Sequence, residues 1–332
     1  MRTNAELAPL LEGFFTKRLV AQRQVSPCTI ASYRDTFRLL LTFAQERLRH
    51  APSTLSLEAL HAPFICEFLD HLEKTRSNGA RSRNLRLAAV RSFFRYAALE
   101  APQHAGLIQR VLAIPSKRFT RPLIDFLTQP EIQAILSATD RRTWIGERDH
   151  ALLLTAVQTG LRLSEITGLR HQDVSIGPGA HVCCVGKGRK QRSTPLVKTT
   201  ANVLKAWIQR EGREDSRFLF PSSGGGRMSS DAVQRLVHKY ANAAKESCPS
   251  LAKKKITPHV LRHTAAMELL QAGVDRSLIA IWLGHESLET TQIYLDANLA
   301  LKEEILAKTR PIQSAPGRYR PDDRLLTFLK NL

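Results

Sequence analysis

Apolar residues recur at three- and four-residue spacing through the first hundred positions, the period of helices that bury one face. After Ser26-Pro27, the residues Ile30, Tyr33, Phe37, Leu40, Leu41 and Ala44 keep this spacing. A serine N-cap followed by proline in the first turn is a favourable helix start. A second segment opens near Ser56-Leu57 and carries Leu60, Phe64, Ile65, Phe68, Leu69 and Leu72, until Ser77-Asn78-Gly79 breaks it. The third runs from about Arg81 to Leu99, with Leu87, Val90, Phe93, Phe94 and Ala97 on one side. Arg81, Asn84, Arg91 and Arg95 gather on the far side with no acid among them. Such a face is either solvated or shaped for phosphates and base edges in a DNA groove, and the pattern leaves both open.

Periodicity then lapses. The stretch IPSKRFTRPLIDF, from Ile114 to Phe126, holds Pro115, Pro122 and a run of basic residues including Lys117 and Arg118. It reads as an interdomain linker whose charges lie against the same polyanion. Thr128-Gln129-Pro130-Glu131 has the Thr-x-x-Glu form of a capping box and predicts a new helix. Beyond it, an apolar stretch from Asp149 to Gly168 is interrupted at Thr159-Gly160. His181–Val185 and Ser193–Val197 look like two strands joined by a Gly-Lys-Gly-Arg-Lys-Gln turn. Further helices are expected from about Ser229, Pro258 and Ser287. The fold class is therefore mainly α with a small antiparallel β-sheet. The expected organisation is a helical domain over 1–112, a linker over 113–127, an α+β domain over 128–310 and a tail over 311–332. Leu325–Leu332 are too apolar for an idle tail, so they either fold back on their own domain or dock on a neighbouring protomer.

Composition narrows the function. The 332 residues include 49 Lys+Arg against 30 Asp+Glu, a formal net charge of +19, which points to a polyanionic partner. Hydrophobic residues at 43% and charged residues at 24% are globular proportions and argue against disorder. No apolar run approaches the roughly 20 residues of a membrane span, so no membrane partner is expected. Cys28, Cys66, Cys183, Cys184 and Cys248 are scattered and form no CxxC pair. That pattern points to reduced thiols in a cytoplasmic setting and against a disulfide framework or a cysteine-ligated zinc site.

Five short motifs follow in order in the second domain: Thr159-Gly160-Leu161-Arg162-Leu163-Ser164-Glu165, Gly186-Lys187-Gly188, His259-Val260-Leu261-Arg262-His263, Leu283-Gly284-His285, and Tyr294. Singly each is weak; together they fit phosphoryl transfer without a metal. Attack on a phosphodiester builds negative charge on the non-bridging oxygens, which prepositioned cations stabilise. Arg162 and Arg262 suit this because a guanidinium bonds bidentately and keeps its charge. Tyr294 supplies a nucleophile, Lys187 a proton for the departing oxygen, and His259 and His285 proton transfer or phosphate bonds. His259 and Arg262, three apart, share a helix face. His285 and Tyr294, nine apart, would stand about 180° from each other on an unbroken helix. Gly284 and Ser287 therefore predict a break beside His285. His259 and His263 lack the acidic or cysteine companions a zinc site needs, and His263 reads as structural. Lys253-Lys254-Lys255 reads as a solvated run brushing the DNA backbone.

This constellation resembles the tyrosine recombinase family, the lambda-integrase-like recombinases that include phage integrases, Xer proteins and mobile-element recombinases. The family pattern Arg, Lys, His-x-x-Arg, His, Tyr lands on Arg162, Lys187, His259, Arg262, His285 and Tyr294, with Glu165 as the supporting acid. Phe218-Leu219-Phe220-Pro221 also resembles a recurring segment, and the likeness is detailed over about 129–300. The resemblance implies a helical, SAM-like core-binding domain followed by a catalytic domain. It implies site-specific recombination through a 3′-phosphotyrosyl link, with no metal, ATP or other cofactor. It further implies a tetramer on two duplex sites, accessory recombination proteins, and a role in DNA integration or transposition. The chain's extra C-terminal sequence favours a mobile-element enzyme over a compact Xer-like resolvase. A type IB topoisomerase-like activity and a catalytically silent DNA-binding regulator are the alternatives, the latter disfavoured because no catalytic residue is missing. Binding to duplex DNA is expected to weaken steeply with salt, as a titration between 50 and 200 mM would show, because many phosphates are neutralised at once.

Overall fold

Local signals decide where the helices begin. The computed structural model describes residues 6–120, 124–186, 191–212 and 217–284. The chain divides into two compact units, Met1–Arg121 and Pro122–Leu332. The first contains α1 (Leu7–Gly13), a π-helical stretch (Phe14–Gln22), α2 (Pro27–Leu48), α3 (Ala62–Arg76), α4 (Ala80–Glu100) and α5 (Ala105–Leu112). Ser26 caps α2 as expected, its hydroxyl accepting the Thr29 N–H at 3.3 Å. The next helix starts later than the Ser56-Leu57 signal implied. Leu57–Leu60 make only a 3-10 turn, and α3 begins at Ala62 with His61 as its cap. Pro63 explains the shift, since it has no N–H to continue a helix and fits only a first turn. Phe14, which the periodicity did not place, is fully buried and meets Phe37 and Phe93 edge to face at 6.1 and 5.6 Å.

The second unit holds α6 (Gln129–Ser137), α7 (Trp144–Thr159), α8 (Leu163–Ile166), β1 (Val174–Ser175), β2 (His181–Val185), β3 (Gln191–Pro195), α9 (Lys198–Glu211), α10 (Ser230–Ala243), α11 (Pro258–Gln271) and α12 (Arg276–Leu283). Glu131 takes the Thr128 N–H at 2.8 Å, the reciprocal half of the expected capping box. Lys254 departs from the solvated run expected of it: its ammonium bonds the Glu131 carboxylate and the Phe126 carbonyl, each at 2.7 Å. The three strands form an antiparallel sheet in the order β1-β2-β3, with Cys183 opposite Ser193. β3 lies two residues before the predicted strand. Thr194 must face inward opposite Val182, and Pro195, lacking an N–H, closes the ladder. α9 and α12 were not anticipated, and the helix expected from Ser287 lies outside the described residues. None of the described helices is long and apolar enough to cross a membrane.

Trp207 anchors the larger core, fully buried with its indole N–H donating to the Leu219 carbonyl at 2.7 Å. Phe218-Leu219-Phe220-Pro221 is thus part of the packing. A smaller apolar cluster of Ala266, Met267, Leu270, Ile279 and Leu283 joins α11 to α12 and carries Ile124 and Phe126 against it. One polar knot sits inside the larger core. Arg148 bonds Asp149 at 2.6 Å and the Pro221 carbonyl at 2.9 Å, while the Tyr240 hydroxyl donates to Asp149 at 3.0 Å. Burial, reinforced by the Asp149 charge, pushes the Tyr240 phenol well above its usual range. Asp149→Ala would leave a buried guanidinium without its counter-charge, so urea unfolding should show a loss of about 3–5 kcal/mol.

Candidate active site

The site is assembled where α7 and α12 end. Gly160 closes α7 at φ +63°, a left-handed conformation in which a side chain would also strike Leu283 at 2.6 Å and Ala265 at 3.1 Å. Gly284 closes α12 at φ +64°, directly before His285, and the expected break between His285 and Tyr294 lies outside the described residues. Carbonyls at a helix C-terminus have no intrahelical donor and carry the negative end of the dipole. Three side chains answer them. Arg262, from α11 and only 6% exposed, donates to the Gly160 carbonyl at 2.6 Å and the Leu283 carbonyl at 2.7 Å. Trp282 donates its indole N–H to the Thr159 carbonyl at 3.1 Å. Arg162, at the head of α8, donates to the Gly284 carbonyl at 2.6 Å. Arg162 and Arg262 are 100 residues apart in sequence, yet they bond adjacent carbonyls.

Glu165 fixes the first of these arginines. Its carboxylate takes the Arg162 backbone N–H at 2.6 Å and the Arg162 guanidinium at 2.9 Å. A second cation, Arg192 on β3, grips both carboxylate oxygens at 2.8 and 2.7 Å. The Glu165 side chain is 2% exposed. Burial alone would push its carboxyl up, but the bonds from Arg192 and Arg162 outweigh that and hold it at about 2. Arg192 was not among the sequence candidates. Its signal lay in the strand alternation, which puts it on the same inward face as Thr194, where a cation needs a buried partner. Arg227, also unanticipated, donates to the Ser164 carbonyl at 2.7 Å and the Thr167 hydroxyl at 3.1 Å. Arg162, Glu165, Cys184, Gln191 and Arg227 line a cleft of about 640 Å³. The Cys184 thiol there is pushed up to about 11 by burial and stays neutral.

His259 is exposed in the first turn of α11, one turn before Arg262. His263 is half-buried one turn further on. Burial, with the nearby His259 and Arg262, holds it down at about 4, so it is neutral at pH 7. Lys187, His285 and Tyr294 lie outside the described residues.

In the first unit, the polar face of α4 divides. Asn84 both donates to the Lys117 carbonyl at 2.7 Å and accepts the Lys117 N–H at 2.9 Å. Arg91 bonds the Ile114 carbonyl, and Lys117 pairs with Glu73 at 2.6 Å. These three side chains latch the 114–117 segment onto the helices. Arg81, Arg95 and Arg118 are exposed.

Comparison with known proteins places these features. The Phage integrase family model matches residues 125–300, and the model for a phage integrase N-terminal SAM-like domain matches 13–101. A putative integrase/recombinase, y4rC, of Sinorhizobium fredii is 59% identical over 332 residues, all of both chains. The tyrosine recombinase XerD of Pseudomonas putida is 30% identical over 311 residues, 91% of this chain and 97% of its own. Among solved structures, the XerH site-specific recombinase in a post-cleavage complex with a palindromic difH substrate gives a TM-score of 0.68. It is 23% identical, covering 86% of this chain and 81% of that one, and the likeness is one of fold.

Two groups at the site carry an acid dependence. A carboxyl held at about 2 in the folded chain against 4.5 in the unfolded chain stabilises above pH 4.5, and that contribution is lost as pH falls towards 2. A histidine held at about 4 against 6.5 makes the unfolded chain the better proton acceptor, so stability also declines as pH falls from 6.5 to 4. Urea midpoints should therefore drop in two stages on acidification, and His263→Gln should shrink the upper one, the remainder coming from His150, which burial also holds below its usual range.

Proposed function

Because the chain belongs to the phage integrase family, we infer that it is a site-specific DNA recombinase that cuts and rejoins duplex DNA through a 3′-phosphotyrosyl intermediate. The observation that carries this reading is the pair of guanidiniums on the consecutive Leu283 and Gly284 carbonyls, immediately before His285. Two fixed cations at one turn of chain suit the two non-bridging oxygens of a single phosphate. Fixing them in advance means that little reorganisation is needed as charge develops.

In this reading the Tyr294 phenolic oxygen attacks the scissile phosphorus and the 5′ oxygen departs. Lys187 gives that oxygen a proton, while His259 and His285 manage the phenolic proton or bond the phosphate. The released 5′-hydroxyl of the partner duplex then attacks the phosphotyrosyl link and restores the tyrosine. Each step exchanges one phosphoester for another, so bond energy is conserved and no ATP hydrolysis is required. Exchange between two sites calls for a homotetramer, with accessory proteins setting direction. Exposed Arg81, Arg95 and Arg118 are the phosphate contacts we assign to the N-terminal unit, where Asn84, Arg91 and Lys117 serve first as the latch.

A duplex nicked beside the attacked phosphate traps the covalent adduct. Tyr294→Phe should bind this duplex normally and form no adduct. Arg162→Ala and Arg262→Ala should each slow adduct formation by about 10²–10³. Arg262→Ala should also lose stability, about 1–3 kcal/mol for each carbonyl left without a donor. Recombination between two sites in one assay separates strand exchange from simple nicking and closing, and an adduct persisting in Tyr294→Phe would place the nucleophile elsewhere.

A further inference from the structure

Glu165 presents the reaction with an electrostatic conflict. Bonded to Arg162, an ionised carboxylate orients the guanidinium but also opposes the positive charge a phosphate would feel. The geometry around Glu165 shows how the conflict is resolved. Arg192 approaches as a planar fork, Nη1 on Oε1 at 2.8 Å and Nη2 on Oε2 at 2.7 Å, while Arg162 contributes one guanidinium bond and its backbone N–H. Arg162 and Arg192 are the two cations bonded to this carboxylate among the described residues, and together the three side chains keep one positive charge in excess.

Arg192 is placed behind Arg162 and not beside it as a second phosphate ligand. Both its terminal nitrogens are on Glu165, and its side chain is 13% exposed. The turn after α12 lies over it: a side chain on Gly284 would come within 2.7 Å of Nη1. The same guanidinium therefore touches both the head of α8 and the end of α12. Cys184, the neighbouring titratable group on β2, is neutral, and Arg227 is directed to Ser164 and Thr167.

We propose that Arg192 is a positioning residue for strand transfer, neutralising Glu165 so that Glu165 can hold Arg162 in place without cancelling the charge Arg162 presents to the scissile phosphate. The inference rests on the strand-transfer reading above and adds to it a residue with no contact to DNA. Without Arg192 the carboxylate becomes the full counter-ion of Arg162, and cleavage slows while DNA binding, spread over many phosphates, persists.

The test uses the full-length protein and the nicked duplex, with adduct formation and duplex affinity measured in parallel. Arg192→Met should slow adduct formation by about 100-fold and change the dissociation constant by no more than about threefold, since Arg192 is not itself a DNA contact and binding is spread over many phosphates. Arg192→Lys, which keeps the charge but loses the fork, should stay within about tenfold of the parent. Glu165→Gln added to Arg192→Met removes the uncompensated charge and should recover at least about tenfold over Arg192→Met alone, a coupling that loss of packing does not produce. Arg192→Met cleaving at the parental rate would overturn the inference. So would a double variant no faster than the single, or Arg192→Lys as slow as Arg192→Met with duplex affinity intact. Should Arg192→Met fail to fold, the Arg192→Lys comparison decides the question. A parent protein that forms no adduct would overturn the strand-transfer reading and this inference together, whereas a normal parental adduct with an indifferent Arg192→Met overturns this inference alone.

Discussion

Two helices stop against one another in the second unit, and their unpaired C-terminal carbonyls need donors. Arg262 bridges the two ends by reaching the Gly160 and Leu283 carbonyls, and Arg162 takes the Gly284 carbonyl next in line. The bonds serve both partners: the helix ends are satisfied, and the guanidiniums are immobilised. Cations held in this way are fixed by the fold itself, and in the proposed strand-transfer reading this is the condition for stabilising charge that appears only during reaction. The same clasp sets where the chain leaves α12 on its way to His285.

Such close approach restricts the residues that can stand at the two helix ends. Gly160 and Gly284 adopt positive φ, and at each a side chain would collide with a group the site uses, Leu283 in one case and Arg192 in the other. The glycines in the Thr-Gly-Leu-Arg and Leu-Gly-His motifs are thus requirements of packing as much as of turning. Glu165 adds an electrostatic requirement. A carboxylate this buried persists only because four donors surround it, and two of them come from β3. The small sheet therefore supplies, through Arg192, the charge that balances Glu165.

The N-terminal unit follows a different logic. Its core is aromatic, with Phe14, Phe37 and Phe93 in edge-to-face contact. Its basic helix spends part of its polar face on the chain itself. Asn84 mimics a strand partner for the Lys117 backbone, and Arg91 and Lys117 complete the fastening. The 114–117 segment has its backbone groups met by α4, which explains how a stretch with two prolines nearby and no periodicity is held in a defined place.

Much of this was determined locally, and so could be read from order alone. Caps and periodic apolar faces located α2, α4, α6, α10 and α11, because a Ser or Thr hydroxyl and a proline act within one turn of the helix they start. The Arg162, Glu165, His259 and Arg262 pattern was also visible, since chemistry restricts which residue types can do each task. What the order of residues did not reveal is what depends on long-range neighbours. Phe14 is core because five other rings, Phe15, Tyr33, Phe37, Phe93 and Tyr96, surround it; α3 starts late because Pro63 blocks an earlier start, and Lys254 is drawn from solvent by Glu131 on α6. Arg192 is the clearest case: as one basic residue in a basic turn it looks like surface, and only the packing of β3 against α8 sets its fork on a buried carboxylate. A local signal can announce a helix or a cation, but which charge that cation balances is decided by the fold that brings the two together.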